Sequence, residues 1–153
     1  MILSLQSTAA ATRKSSVYTR SELESMFLPV QQMLQIDHVA EIRDDQIVCE
    51  MNIAGHWVFP MHFPGDPIFP GTLLIEAAGQ AVAIWSWHKG ARGRPRLARV
   101  KAEFENPVLT HDQTIRLVGT VRQRRNIYLG SVGLYVRDRR VAQVNPMVVL
   151  IPR

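Results

Sequence analysis

One cysteine in 153 residues excludes an internal disulfide and any zinc site built on thiolates. A lone Cys49 suits a reducing, cytoplasmic setting. No stretch reaches the roughly 18–20 uninterrupted apolar residues that a membrane span needs. The closest run starts at Thr72 and is broken by Glu76, Gln80 and His88, so no membrane is expected. His38, His56, His88 and His111 share no metal-ligand spacing, which leaves no expected metal site. Acids are missing from residues 1–20, a stretch rich in Ser, Thr and Ala with Arg13, Lys14 and Arg20. It also lacks a long apolar segment, so it reads as a mobile tail rather than a secretory signal.

The remainder has an ordinary globular composition, 46% hydrophobic and 20% charged. Residues 21–153 are long enough for one domain with a substantial core, and no internal repeat is present. The net charge is +5. Arginines gather at Arg92, Arg94, Arg96 and Arg99, at Arg122, Arg124 and Arg125, and at Arg137, Arg139 and Arg140. Such clusters attract an anionic partner, or they are solvated charges that aid solubility. No recognition motif for nucleic acid accompanies them, so no nucleic-acid partner is expected.

The pattern predicts a capping box at 21–24 opening a short helix, then a strand over 33–39, a turn at Asp44 and Asp45, and a returning strand over 46–53. Residues 57–62 read as an extended strand running into a loop. From Thr72 the sequence turns to Leu, Ile, Ala and Trp, which predicts a buried helix that Thr72 caps and Gly90 ends. Strands are expected over 96–105, 113–124, 127–136 and 141–150, with an irregularity at Asn145 and Pro146. The result is an α+β protein: a curved antiparallel sheet around one apolar helix.

The segment HFPGDPIFPGTLLIEAAGQ, residues 62–80, carries the chemistry. Pro64, Pro67 and Pro70 forbid a helix across the loop, and Gly65 and Gly71 permit close backbone approach. His62 and Glu76 set a base and an acid in a nearly apolar stretch, enough to move two protons in one reaction. The helix start supplies N–H groups able to hold a carbonyl oxygen. Burial raises a carboxyl pKa, as a general acid requires. Gln80 lies four residues after Glu76, on the same face, and is placed to orient it. A structural histidine and a buried structural acid paired with an arginine are the plainer readings of His62 and Glu76. Met61, Phe63, Ile68 and Phe69 line an acyl tunnel or belong to the core, and Asp66 reads as a turn residue.

The motif His-Phe-Pro-x-x-Pro-x-x-Pro-Gly, with a Glu fourteen residues after the His and an Ala-x-x-Gln beyond, resembles the hotdog-fold 3-hydroxyacyl-[acyl carrier protein] dehydratases of the FabZ branch. Residues 33–39, 65–67 and 125–130 look more like the FabA branch, whereas Glu76 stands where that branch usually has Asp. The resemblance spans roughly 28–151. It implies a hotdog fold and dehydration to a trans-2-enoyl thioester, in fatty acid or polyketide and polyene synthesis. It implies His62 as base, Glu76 as acid, the Gly71 N–H on the thioester carbonyl, and Gln80 orienting Glu76, with Phe63 and Phe69 against the substrate. It further implies an acyl carrier protein as partner, no cofactor beyond the phosphopantetheine the carrier brings, and a site shared between protomers of a homodimer or larger assembly. Arg92, Arg94, Arg96 and Arg99 are the expected carrier-docking residues. The competing readings are a hotdog acyl-thioesterase and a non-catalytic acyl-binding subunit of a heteromeric dehydratase.

Overall fold

A computed structural model of the chain describes residues 16–26 and 28–152. Six strands form one antiparallel sheet: β1 (His38–Arg43), β2 (Gln46–Asn52), β3 (Arg96–Phe104), β4 (Thr114–Arg124), β5 (Ile127–Val136) and β6 (Arg139–Leu150). Their order across the sheet is β1-β2-β4-β5-β6-β3, so β1 and β3 are its edges. Helix α1 spans Arg20–Glu24 and helix α2 spans Gly71–His88. The sheet wraps α2 in the hotdog arrangement.

Period-two patterning builds the sheet. In β4, Ile115, Leu117 and Val121 are buried while Thr114, Arg116, Thr120 and Arg122 face solvent. Two-residue connections at Asp44, at Arg125 and at Arg137 make the hairpins, and each of these residues takes the positive φ that such tight turns demand. Asn145 and Pro146 interrupt the β5–β6 register, as expected, between Gly130↔Met147 and Val132↔Val144.

Helix α2 lies in the trough of the sheet. Its C-terminal two-thirds is almost wholly buried, and burying a large apolar side chain contributes about 1.5–3 kcal/mol. The indoles bind backbone carbonyls: Trp85 Nε1–H donates to Asp44 at 3.0 Å and Trp87 Nε1–H to Gly93 at 3.0 Å. Gly130 lets the sheet approach closely, since a Cβ there meets Val82 Cγ2 at 2.5 Å. Gly90, at φ +108, ends the helix as expected.

Several expectations need correction. The strand predicted over 33–39 begins only at His38; the preceding residues Gln31–Met33 form a 3-10 turn. The stretch 57–62 is not extended: Phe59–Met61 form a second 3-10 turn. The capping box is Thr19 with Glu22, two residues before the predicted one. Thr72 does not cap α2; the N-cap is Pro70, without a side-chain hydrogen bond. The helix is not buried all round, because Thr72 is exposed and Ile75, Glu76 and Gly79 are half-buried. The tail expected over 1–20 falls on residues 1–15 outside the described residues, but its last part is tied down. Val17 N–H donates to the Val39 carbonyl at 2.8 Å, and Tyr18 bridges to Val39.

Candidate active site

His62 closes the 3-10 turn Phe59–Met61 and opens the proline loop. The loop folds back on itself. Phe63 and Asp66 exchange backbone hydrogen bonds at 3.0 Å each, around Gly65 at φ +78. Asp66 is thus a turn residue, as its context suggested. Ile68 then binds His62 twice: its N–H donates to the His62 carbonyl at 2.8 Å, and its carbonyl accepts from His62 Nδ1 at 2.9 Å. A carbonyl can only accept, so Nδ1 carries the hydrogen and the neutral ring holds its lone pair on Nε2. Phe63 stacks on the imidazole with ring centroids 4.1 Å apart. Phe63 is 53% exposed and Met61 61%, so neither belongs to the core of the chain. Phe69 is buried.

A cleft of about 530 Å³ opens beside this loop, within the range of small-molecule sites. His62, Phe69, Gly71, Thr72, Ile75 and Phe104 are among its walls. Pro70 provides no side-chain cap, and its carbonyl accepts from the Leu73 and Leu74 N–H groups, so the Gly71 and Thr72 N–H groups are the ones with no acceptor inside the helix. A Cβ at Gly71 would sit 2.8 Å from the Phe104 ring, so a larger residue here requires that exposed ring to move. A base with its lone pair on Nε2 and a helix N-terminus therefore meet in one cleft.

Glu76 sits elsewhere. It lines a separate groove with Gln80, Gly79, Leu97 and Met147. Gln80 Nε2 donates to Glu76 Oε1 at 3.0 Å and to the Met33 carbonyl at 2.7 Å, while its Oε1 accepts the Gln35 N–H at 2.8 Å. The Gln35 side chain holds that segment: Nε2 donates to the Gln32 carbonyl at 2.8 Å, and Oε1 bonds His56 Nε2 at 3.2 Å. His56 Nδ1 accepts the Val58 N–H at 3.1 Å, so Nε2 is the donor to Gln35. Burial pushes the His56 pKa below the usual histidine value, against the opposing charge of Asp37. Its ring also packs edge-on against Phe69, at 4.9 Å, in the wall of the His62 cleft.

Within one chain, then, His62, Gly71 and Phe69 share a cleft, and Glu76 and Gln80 share a neighbouring groove. Ile75 lines both. Strand β3 runs past both as well, Phe104 at the first and Leu97 at the second. Arg92, Arg94, Arg96 and Arg99 are exposed. Arg92 Nη1 donates to the Ala91 and Trp87 carbonyls at 3.0 and 3.3 Å, at the C-terminal end of α2. At ~1.5 Å per residue, that end is about 27 Å from the His62 cleft of the same chain.

Sequence reasoning missed Gln35, His56 and Phe104. Gln35 acts on Gln80 across 45 residues, and no local period joins them. His56 carried a weak signal as a histidine among Trp57, Phe59 and the motif, but its partner was not visible.

Residues 28–145 match the family of FabA-like domains. A FabZ 3-hydroxyacyl-[acyl-carrier-protein] dehydratase of Symbiobacterium thermophilum is 37% identical over 77% of this chain and 87% of its own length. Its counterpart in Fusobacterium nucleatum is 32% identical over 78% and 83%. Among solved structures, the dehydratase heterocomplex ApeI:P of Xenorhabdus doucetiae superposes with a TM-score of 0.69 at 18% identity, covering 83% of this chain and 89% of that one. Zebra fish thioesterase superfamily member 2 does so at 0.64 and 16%, covering 88% and 99%. At those identities the two superpositions speak for the fold alone.

Proposed function

We propose that this chain, which belongs to the FabA-like domain family, removes water from a 3-hydroxyacyl thioester borne on an acyl carrier protein and leaves the trans-2-enoyl thioester. Its relatives at 31–37% identity are named as dehydratases of that substrate class, and they cover most of the chain. The observation that carries the reading is His62 Nε2 and the uncapped start of α2 in one cleft, with Glu76 in the second turn of the same helix.

His62 Nε2 takes the α-proton. Charge that develops on the thioester oxygen is held by the Gly71 N–H, an interaction commonly worth about 3 kcal/mol per donor. Glu76 gives its proton to the leaving hydroxyl, which departs as water. Gln80 holds Glu76 in place. One proton is accepted and one is given, so the step balances without a redox group. The phosphopantetheine arm arrives with the carrier.

The separation of His62 from Glu76 in one chain supports a site shared by two. Strand β3 is a sheet edge carrying exposed Leu97 and Phe104. Two copies of β3 paired antiparallel about a two-fold axis set the Phe104 end of one beside the Leu97 end of the other. The His62 cleft of one protomer then meets the Glu76 groove of its partner. The chain accordingly acts as a homodimer or larger assembly, and its single domain takes in Val17 and Tyr18, which pair with β1, as well as the residues from 21 onward. Arg94, Arg96 and Arg99 flank that seam and receive the acidic carrier, with Arg92 beyond them. The lone buried Cys49 supports a cytoplasmic setting.

Incubation with a panel of 3-hydroxyacyl carrier thioesters, read by mass spectrometry, tests this. A loss of 18 Da from the acyl group is expected for water removal. Release of free acid points instead to a thioesterase. No change with any member overturns the activity for the chain alone.

A further inference from the structure

We infer that Gly79 is the residue that sets how long an acyl chain this protein accepts, and this rests on the dehydratase reading above. Gly79 lies three residues after Glu76, on the same face of α2, in the wall of the groove that starts at that carboxylate. The groove is about 150 Å³, and beyond Glu76 and Gln80 its walls are apolar, among them Ile75, Ala83, Leu97 and Met147.

Among the described residues, nothing in the packing demands glycine at this position. Among them, a Cβ would meet only Met147, with Cε at 3.7 Å and Sδ at 3.8 Å, both ordinary contacts. The backbone there has no positive φ. Glycine within a helix is also less stable than alanine. Gly71 and Gly130 differ, because a Cβ at either runs into a ring or a methyl group. What the missing side chain provides at Gly79 is room in the groove.

The occupant follows from the chemistry. With the α- and β-carbons held between His62 and Glu76, the remaining carbons of the acyl chain must leave the reacting centre along an apolar path. The groove begins at the acid. Its only amide, that of Gln80, is already bonded to Glu76, Met33 and Gln35. That favours an unbranched hydrocarbon tail over a sugar or peptide. At ~30 Å³ per water-sized group, the groove takes roughly five such groups, a short to medium chain.

The test compares wild type with Gly79→Ala on 3-hydroxybutyryl, 3-hydroxyhexanoyl and 3-hydroxyoctanoyl carrier thioesters. One methyl group in an apolar pocket is worth about 10-fold or more in selectivity. kcat/KM for the octanoyl substrate is expected to fall by at least that factor, with the butyryl substrate within about 2-fold. The melting temperature is expected to hold or rise. Equal effects at every chain length, or none, overturn the inference. Binding of saturated butyryl and octanoyl thioesters, which cannot lose water, reads the groove without the chemistry. If wild type dehydrates nothing yet Gly79→Ala weakens octanoyl binding selectively, the activity reading fails and the groove stands. If the variant leaves octanoyl and butyryl binding in unchanged ratio, the role of Gly79 is refuted whatever the activity.

Discussion

Gln80 holds Glu76 by a 3.0 Å hydrogen bond from an amide whose orientation the backbone dictates. The Gln35 N–H can only donate and the Met33 carbonyl can only accept, so the two ends of the amide cannot exchange. The carboxylate oxygen therefore faces a fixed donor.

Replacing Gln80 with Ala frees Glu76 and orphans the buried Gln35 N–H. An unsatisfied buried group costs about 1–3 kcal/mol. Turnover is expected to drop by about 10-fold or more with KM less affected, alongside a lower urea midpoint. A variant with wild-type turnover shows that Glu76 needs no such support.

His62→Ala and Glu76→Gln are each expected to lower turnover by at least about 100-fold, as for loss of a general base or acid, with the fold retained by circular dichroism. If the site is shared, mixing the two variants regains part of the activity, since some mixed dimers carry one intact pair. Full activity from a species that is monomeric by light scattering refutes the shared site.

His56 predicts acid sensitivity. Its pKa is lowered in the folded chain, chiefly by burial, so the unfolded chain binds the proton more readily. Stability is complete above the ordinary value of 6.5 and declines as pH falls from there through the folded pKa. His56→Gln keeps a polar group near Gln35 but does not titrate. Its melting temperature is expected to fall less between pH 7 and pH 5, that window being about the ordinary histidine range and below. Parallel curves for the two proteins rule out His56 as the source.

Charge reversal at Arg94 and Arg96 is expected to raise KM for carrier-bound substrate and to weaken its salt dependence, because exposed charges steer over roughly a Debye length, about 10 Å at 0.1 M. A short uncharged thioester should react at nearly the wild-type rate. Unchanged carrier kinetics move the docking surface to Arg122, Arg124 and Arg125.

Much of the fold was legible because its signals are local. Strand β5 begins and ends where its period-two pattern does, at Ile127 and Val136. The three hairpin turns fall where short polar pairs interrupt that pattern. The 62–80 segment announced its histidine, its glycine and the Glu76–Gln80 pair, because all of these act through spacings of one loop or one helical turn.

The misses are places where distant residues choose. Thr19 and Ser21 each stand three residues before a glutamate, so two overlapping capping boxes were open. Helix α1 takes the first, and there Arg20 reaches the Ile36 carbonyl and the Asp37 carboxylate. The apolar residues at 33–39 look like strand, but ladder pairing with β2 starts only at His38↔Glu50. A strand is defined by its neighbour, and the sequence does not name the neighbour. The same holds for the site. The chain by itself marked His62 and Glu76 as the candidates for proton chemistry and predicted the helix that carries Glu76. The fold decided that Gln35 and His56 brace Gln80, that Phe104 covers Gly71, and that β3 ends the sheet with Leu97 and Phe104 exposed. Hydrogen bonds and packing act over a few ångströms in space, and only folding brings residues 45 positions apart to that distance.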